Sequence, residues 1–439
     1  MKIKLILFFL ILCGVSIQAQ NPIVPAGIYI ADPSAHQWRD GKMYVYGSQD
    51  ESPNYYCSWR YSVLSSSDLK TWSMAEDVFA SKGEKDQVPY SDAILYAPDC
   101  QYKDGNYYLY YCLASNKKTE GVAVSKSATG PFENGKNIQV KGIEEIDPAV
   151  FIDDNGQAYY IWGQINAKIA KLKPNMLEID SSTIKNNLLT EKEHFFHEGG
   201  YMVKRKGIYY FVYAHVGRAG RPTCLGYATS KSPMGPFKYG GVIIDNDHCD
   251  PGCWNNHGSI AEFNGKWYVF YHRSTHGSNS MRKACIEPIT FNKDGSIPEV
   301  EMTTQGAGEL INPTAVLDAA RACLLYGNVR VKLVSDTNEA LTDIRSGDAA
   351  GYKYLDFKSD LDSVSIAVFP GSKGITVDLA LDNSWGPSIG RVNVPDGGDG
   401  KVRQVITVPI SKTTGKHALW LRFWGDGDEL LKIDELWFK

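Results

Sequence analysis

An all-β chain is predicted here, a five-bladed β-propeller followed by a β-sandwich (jelly-roll) domain, and three observations predict it. A hairpin-like unit recurs five times before residue 308, and Tyr, Trp and Val fill the strand positions of its copies. Residues 309–439 alternate apolar and polar positions between Gly and Asp turns. Of the 439 residues, 43% are hydrophobic, 22% charged and 12% aromatic, enough apolar material for packed cores and too little charge for disorder. A net charge of −4 argues against nucleic acid as a partner, because phosphates need a basic face. Beyond the N-terminus no run approaches the roughly eighteen apolar residues of a membrane helix, so no membrane span is expected. The 26 Tyr, 10 Trp and 16 Phe favour a flat, neutral ligand, and a monomer is expected.

Residues 1–19 read as a signal peptide. Lys2 and Lys4 precede an apolar run from Leu5 to Val15, and cleavage is expected after Ala19. The protein should therefore be secreted or periplasmic. Cys13 raises a lipoprotein alternative, but Leu12 stands where a small residue is expected, which argues against it. Export leaves Cys57, Cys100, Cys112, Cys224, Cys249, Cys253, Cys285 and Cys323. Their spread fits neither a dense disulfide framework nor paired zinc ligands. Cys249 and Cys253 are the best bridge candidates, with small buried thiols as the alternative throughout.

The propeller is expected over residues 20–308. Its five units read DPSAHQWRDGKMYVYG from Asp32, APDCQYKDGNYYLYYC from Ala97, DPAVFIDDNGQAYYIWG from Asp147, EGGYMVKRKGIYYFVYA from Glu198 and HGSIAEFNGKWYVFYH from His257. Their turn glycines are Gly41, Gly105, Gly156, Gly207 and Gly265, a period of 51 to 64 residues. Asp-Gly or Asn-Gly supplies most of these turns, since both residues tolerate positive φ. Between them SSSDLKTW (65–72), SKSATGPF (125–132) and SKSPMGPF (230–237) mark further turns, so each unit should hold four short strands.

The same register places candidate chemistry. Asp32, Asp147 and Glu198 each stand nine residues before their turn glycine, and His257 stands eight before. Equivalent positions in successive blades lie at one depth around one axis, so three carboxylates and a histidine should meet at one channel mouth. A single acid would more often cap a strand; three in register make that the weaker reading. Crowded carboxylates cannot all ionise cheaply, so one should carry a raised pKa and donate a proton near neutrality. One acid and one base are the machinery of glycoside hydrolysis. Trp38, Trp59, Tyr96, Trp162, Phe196 and Trp254 are candidate faces for a sugar ring, of which two or three should touch it.

Asp32-Pro33, APD at 97–99, IDPAVFIDDNG at 146–156, HEGGYMVKRKGIYYF at 197–211 and NNHGSIAEFNGKWYVFYH at 255–272 together resemble glycoside hydrolase family 43 over about residues 24–308. The resemblance implies inverting release of arabinofuranose or xylose from plant polysaccharide or oligosaccharide, without a required cofactor. It assigns Asp32 as general base, Asp147 as the residue that orients and tunes the acid, and Glu198 as general acid. Arg282, in MRKACIEP, would bind the terminal sugar. His257 matches a histidine that in many members helps hold calcium at the propeller axis; an ordinary core histidine is the competing reading.

Residues 309–439 resemble carbohydrate-binding module family 6. Departures bear on function. Asp318-Ala319-Ala320 stands where the family carries Glu-x-Glu, which puts that module's calcium in doubt, with Asp434 left as a match to a ligand. GGDGKVRQV from Gly397 lacks the tryptophan that usually follows the glycine pair, so little direct affinity for polysaccharide is expected of the module. Trp385 could replace it as a platform, and a buried role is expected for it instead. The leading expectation is an α-L-arabinofuranosidase, with β-xylosidase or another furanosidase or galactosidase next. A non-catalytic sugar-binding propeller is the alternative of a different class. Fructan-cleaving propellers fit less well, since Ala-Asp-Pro-Ser and Ile-Asp-Pro replace their usual motifs.

Overall fold

Turn chemistry fixes the first hairpin of every blade. Gly41, Gly105, Gly156, Gly207 and Gly265 have φ between 74° and 81°, and a Cβ there would meet nothing within 4 Å. Glycine is used at these turns for its backbone conformation, not for space. The computed structural model describes residues 20–439 except 116–118, 141–142, 144, 219, 253 and 359. The expected signal peptide and the Cys253 half of the expected bridge lie outside the described residues.

Each hairpin opens a small antiparallel sheet. The leading strands, Ile30–Gln37, Asp99–Lys103, Ala149–Ile152, Phe196–Arg205 and Ser259–Phe263, are neighbours around the axis. Among the described residues, blades one, two and four have four strands, whereas blades three and five have three. This corrects the expectation of four strands throughout. In blade three the fourth position is held by an irregular segment at Lys185, which exchanges backbone bonds with Ile169 at 2.8 and 3.1 Å. In blade five the N-terminal segment takes that place: the Ile23 amide donates to the Ala284 carbonyl at 2.9 Å, and Asn21 brackets Ile286 with bonds of 2.8 and 3.0 Å.

Five apolar clusters hold the ring, one between each pair of adjacent blades. Val63, Leu109 and Phe132 join blades one and two; Tyr110, Val122 and Tyr160 join two and three. Phe151, Phe196 and Phe211 join three and four; Val212, Leu225 and Val269 join four and five. Ile30, Val45, Phe270 and Ile286 join the last blade to the first and close the circle. Closure leaves few strand edges to protect, and each fully buried Phe, Leu or Ile contributes about 1.5–3 kcal/mol.

The C-terminal domain packs two antiparallel sheets on a separate core that includes Ile366, Leu379, Leu421 and Phe438. Its Cys323 also packs into the cluster between blades four and five. Among the described residues no helix is long and apolar enough to cross a membrane.

Candidate active site

Irregular backbone turns the acids inward. Asp32 and Asp147 adopt left-handed φ values of 53° and 59°, and Glu198 is followed by Gly199 at 65°. Register shifts interrupt the leading strands at Ala31/Ser34 in blade one and around Glu198 in blade four. Such bulges re-aim a side chain while the strand continues, at a local conformational cost. A Cβ on Gly199 would meet the His257 ring at 2.8 Å, so this position must remain small.

Asp32 is buried and gripped from several sides. Arg282 Nη1 donates to its Oδ1 at 2.8 Å and the Ser48 hydroxyl donates to its Oδ2. Its backbone amide donates to His272 Nδ1 at 3.3 Å. That bond leaves the proton on His272 Nε2, which donates to Asn255 Oδ1 at 2.8 Å. Burial works to raise the Asp32 pKa, but the Arg282 guanidinium, then His257, His272 and Ser48, outweigh it and hold it at about 2. Arg282 is itself fixed by Asp50, to which Nε and Nη2 each donate at 2.9 Å, while Nη2 also reaches Cys57 Sγ at 3.3 Å. Four of its five N–H groups therefore serve the protein, and the Tyr56 ring covers its guanidinium at 4.9 Å. Arg282 was expected to bind sugar; it borders the pocket with one Nη1 hydrogen left over, while its other N–H groups hold Asp32, Asp50 and Cys57.

Asp147 behaves oppositely. Burial, then the charges of Glu198 and Asp32, push its pKa well above the carboxylate range. Crowding was expected to raise one carboxyl; the one pushed up is Asp147, whereas the resemblance gives the acid role to Glu198. Glu198 accepts from Gln164 Nε2 at 2.7 Å and lies 3.9 Å from His197 Nε2. Its side chain is 21% exposed against 6% for Asp32 and Asp147, so it alone of the three opens toward the mouth. His257 Nδ1 sits between the two buried acids, 3.7 Å from Asp32 and 3.8 Å from Asp147. Burial lowers its pKa.

These groups line one small pocket of about 190 Å³. Asp32, Asp147, Glu198, His257, Arg282, Tyr96 and Trp254 all border it. Four expected sugar contacts do not. Trp38 directly follows the far end of the strand Ile30–Gln37, where it stacks on His36 at 4.7 Å. Trp162 is 1% exposed in the core between blades two and three, and its indole donates to the Ile143 carbonyl at 2.9 Å. Phe196 is 0% exposed between blades three and four, where losing a ring costs about 3–5 kcal/mol and serves folding. Trp59 borders a separate groove on blade one. Tyr56, Gln164, His197, Asn255 and His272 line the pocket and were missed, as was Asp50 behind it. A signal existed for some: Asp50, Gln164 and His272 all lie at or just past the end of their unit's second, aromatic strand.

Calcium finds a poor donor set around His257. Calcium takes six to eight oxygens, the ring supplies none, and the Asp32 oxygens are already engaged by Arg282 and Ser48. Among the described residues no three His, Cys, Asp or Glu side chains form a metal-holding group. In the sandwich, both Asp434 oxygens are taken, by Asn338 at 2.7 Å and by the Arg403 guanidinium, which would repel a cation. Trp385, expected to be buried, is 83% exposed on a tight turn after the strand Ile375–Leu381.

A propeller pocket that gathers three carboxyls, one with its pKa held down, one with its pKa pushed up and one open to solvent, fits a glycoside hydrolase of the paired-carboxylate kind. Residues 19–297 match the family model described as Glycosyl hydrolases family 43, and residues 326–439 match Carbohydrate binding module (family 6). The chain belongs to glycoside hydrolase family 43 and hydrolyses O-glycosyl bonds with inversion. It is 30% identical to a xylosidase/arabinosidase of Thermoclostridium stercorarium over 94% of this chain and 98% of that one. Among solved structures it resembles an arabinoxylan arabinofuranohydrolase from Bacillus subtilis, with a TM-score of 0.55 and 26% identity over 95% and 97% of the two chains. A β-xylosidase/α-arabinofuranosidase from a compost metagenome, solved with xylotriose in a calcium-free form, matches at 31% identity and a TM-score of 0.56, covering 65% of this chain and 99% of its own.

Proposed function

We propose that this hydrolase is an exo-acting α-L-arabinofuranosidase on plant cell-wall polysaccharide, with Asp32 as general base and Glu198 as general acid. The observation that carries the reading is the contrast between carboxyls in one pocket: Asp32 is pinned ionised by Arg282, while Glu198 is the one open to the mouth. A terminal pentose enters against Tyr96 and Trp254. Asp32 takes a proton from water as it attacks the anomeric carbon, and Glu198 gives its proton to the departing oxygen on the opposite face. Gln164 orients Glu198, and the Asp147 carboxyl, its pKa pushed up by burial and by the charges of Glu198 and Asp32, tunes it. Export precedes this action, since the polymer lies outside the cell.

Release of terminal β-xylose is the second reading, favoured by the double name of the Thermoclostridium stercorarium relative. Rates on 4-nitrophenyl α-L-arabinofuranoside and β-D-xyloside, followed by sugar release from arabinoxylan, separate the two. Arabinose release is expected to dominate; turnover of neither pentoside would overturn both readings.

The exposed Trp385 revises what is expected of the module, because a tryptophan face in solvent can stack on sugar. In affinity electrophoresis on arabinoxylan the full chain should be retarded, and Trp385→Ala should lose that retardation without change in kcat on the aryl glycoside. Equal mobility of the two proteins would remove Trp385 from binding.

A further inference from the structure

One buried ion pair takes no part in the chemistry above. Lys283, from blade five, is 3% exposed and Glu339, from the sandwich, is 4% exposed. The Lys283 ammonium donates to Glu339 Oε2 and, at 3.1 Å, to the Pro25 carbonyl. The Tyr29 hydroxyl donates to Glu339 Oε1 at 2.8 Å, and the ammonium lies 5.1 Å over the Tyr29 ring. Such a pair is weak evidence for stability, since desolvation offsets most of its attraction. Its placement is more informative. Lys283 directly follows Arg282, and Tyr29 precedes Asp32 by three residues. The Tyr29 carbonyl also accepts the Asp50 amide at 3.0 Å. One carboxylate of the sandwich thus ties together the segments that carry Asp32, Asp50 and Arg282.

A second tie runs parallel. Arg330 of the sandwich pairs with Asp250 at 3.1 Å, Asp250 accepts the Gly277 amide at 2.7 Å, and the Val331 carbonyl accepts the His276 amide at 3.0 Å. The loop so held donates from Ser278 and Ser280 to the Pro53 and Ser52 carbonyls at 2.7 and 2.8 Å, in the segment that leads to Tyr56.

We propose that Glu339 is a positioning residue for hydrolysis: through Lys283 and Tyr29 it sets the placement of Arg282 against Asp32, which makes the C-terminal module part of the catalytic framework. The inference rests on the assignment of Asp32 as base. Groups facing Asp32 are Arg282 and His272 from blade five, His257 from the segment before it, Ser48 from blade one and Asp147 from blade three.

The test uses the full-length enzyme and three variants. Glu339→Gln removes the charge, and Lys283→Met/Glu339→Leu removes both partners so that no unpaired charge is buried. Glu301→Gln breaks an exposed tie at the same domain junction, the Lys353–Glu301 pair of 2.6 Å, and should keep wild-type kinetics. For the two Glu339 variants kcat per folded molecule should fall about tenfold, the cost of a slightly misplaced catalytic group, with KM little changed. The acid limb of kcat/KM should move to higher pH, because a displaced Arg282 holds the Asp32 carboxyl down less firmly. A lower melting temperature with unchanged kcat and pH profile, in either variant that folds, overturns the proposal. Asp32→Asn is assayed beside them. If it keeps its activity, the base assignment fails; if it is inactive while the double variant matches wild type, only the positioning role fails.

Discussion

Glu198→Gln is expected to lower kcat on arabinoxylan oligosaccharides by about 10²–10⁴-fold, the usual contribution of a positioned general acid. The glutamine keeps the shape, and the Gln164 contact can be kept by rotation of either amide, so folding should survive. What disappears is the proton for the departing oxygen. A sugar alkoxide is a poor leaving group and needs that proton, whereas 4-nitrophenolate leaves without much help. Loss on the aryl substrate should therefore be far smaller. Equal losses on both substrates would take Glu198 out of the acid role. The greater exposure of Glu198 relative to Asp32 and Asp147 is what makes it the group able to reach a leaving oxygen at the mouth.

Asp32→Asn should be at least as damaging, because an amide cannot take the proton of the attacking water. Here activated substrates give no relief, and both oligosaccharide and aryl glycoside should lose about 10²–10⁴-fold. In the wild type, the pull of Arg282 against burial sets the acid limb. A carboxyl held at about 2 stays ionised until the pH falls toward that value, so the base should not limit activity across the ordinary carboxylate range. The same depression has a stability consequence with a definite sign. Asp32 favours the folded state above its unfolded value near 3.8, and that contribution is lost as the pH falls through about 2. Stereochemistry gives an independent check. Base and acid sit in the first and fourth blades, and a carboxyl separation of about 6.5–9.5 Å would admit the water between them. Proton NMR during early turnover should show the anomer opposite to that of the bond cleaved. The same anomer before mutarotation would make Asp32 a nucleophile.

The fold and the location of the pocket were legible in the chain because both depend on local, repeated chemistry. Five glycine turns before aromatic strands dictate five hairpins, and acids nine residues before three of those glycines must reach one end of the ring once it closes. The bulges at Asp32 and Glu198 refine the aim of these side chains without moving them to another end. Strand alternation could not say which aromatic residues face the pocket. Trp162 and Phe196 stand close in sequence to Gln164 and Glu198, yet twist and bulging send the rings into the cores between blades and the polar groups into the cavity. Nor could it give the electrostatics. The Arg282 contact that holds Asp32 ionised spans 250 positions, and its Asp50 anchor spans 232. Glu339 reaches Tyr29 from 310 positions away. A carboxyl's pKa follows from whichever charges and desolvating walls surround it in space. The sequence by itself determined the repeat and the end of the ring where the acids gather; only the tertiary structure decided which carboxyl's pKa is held down, which is pushed up and which opens to solvent, because those properties depend on neighbours that meet only when the ring and the sandwich close.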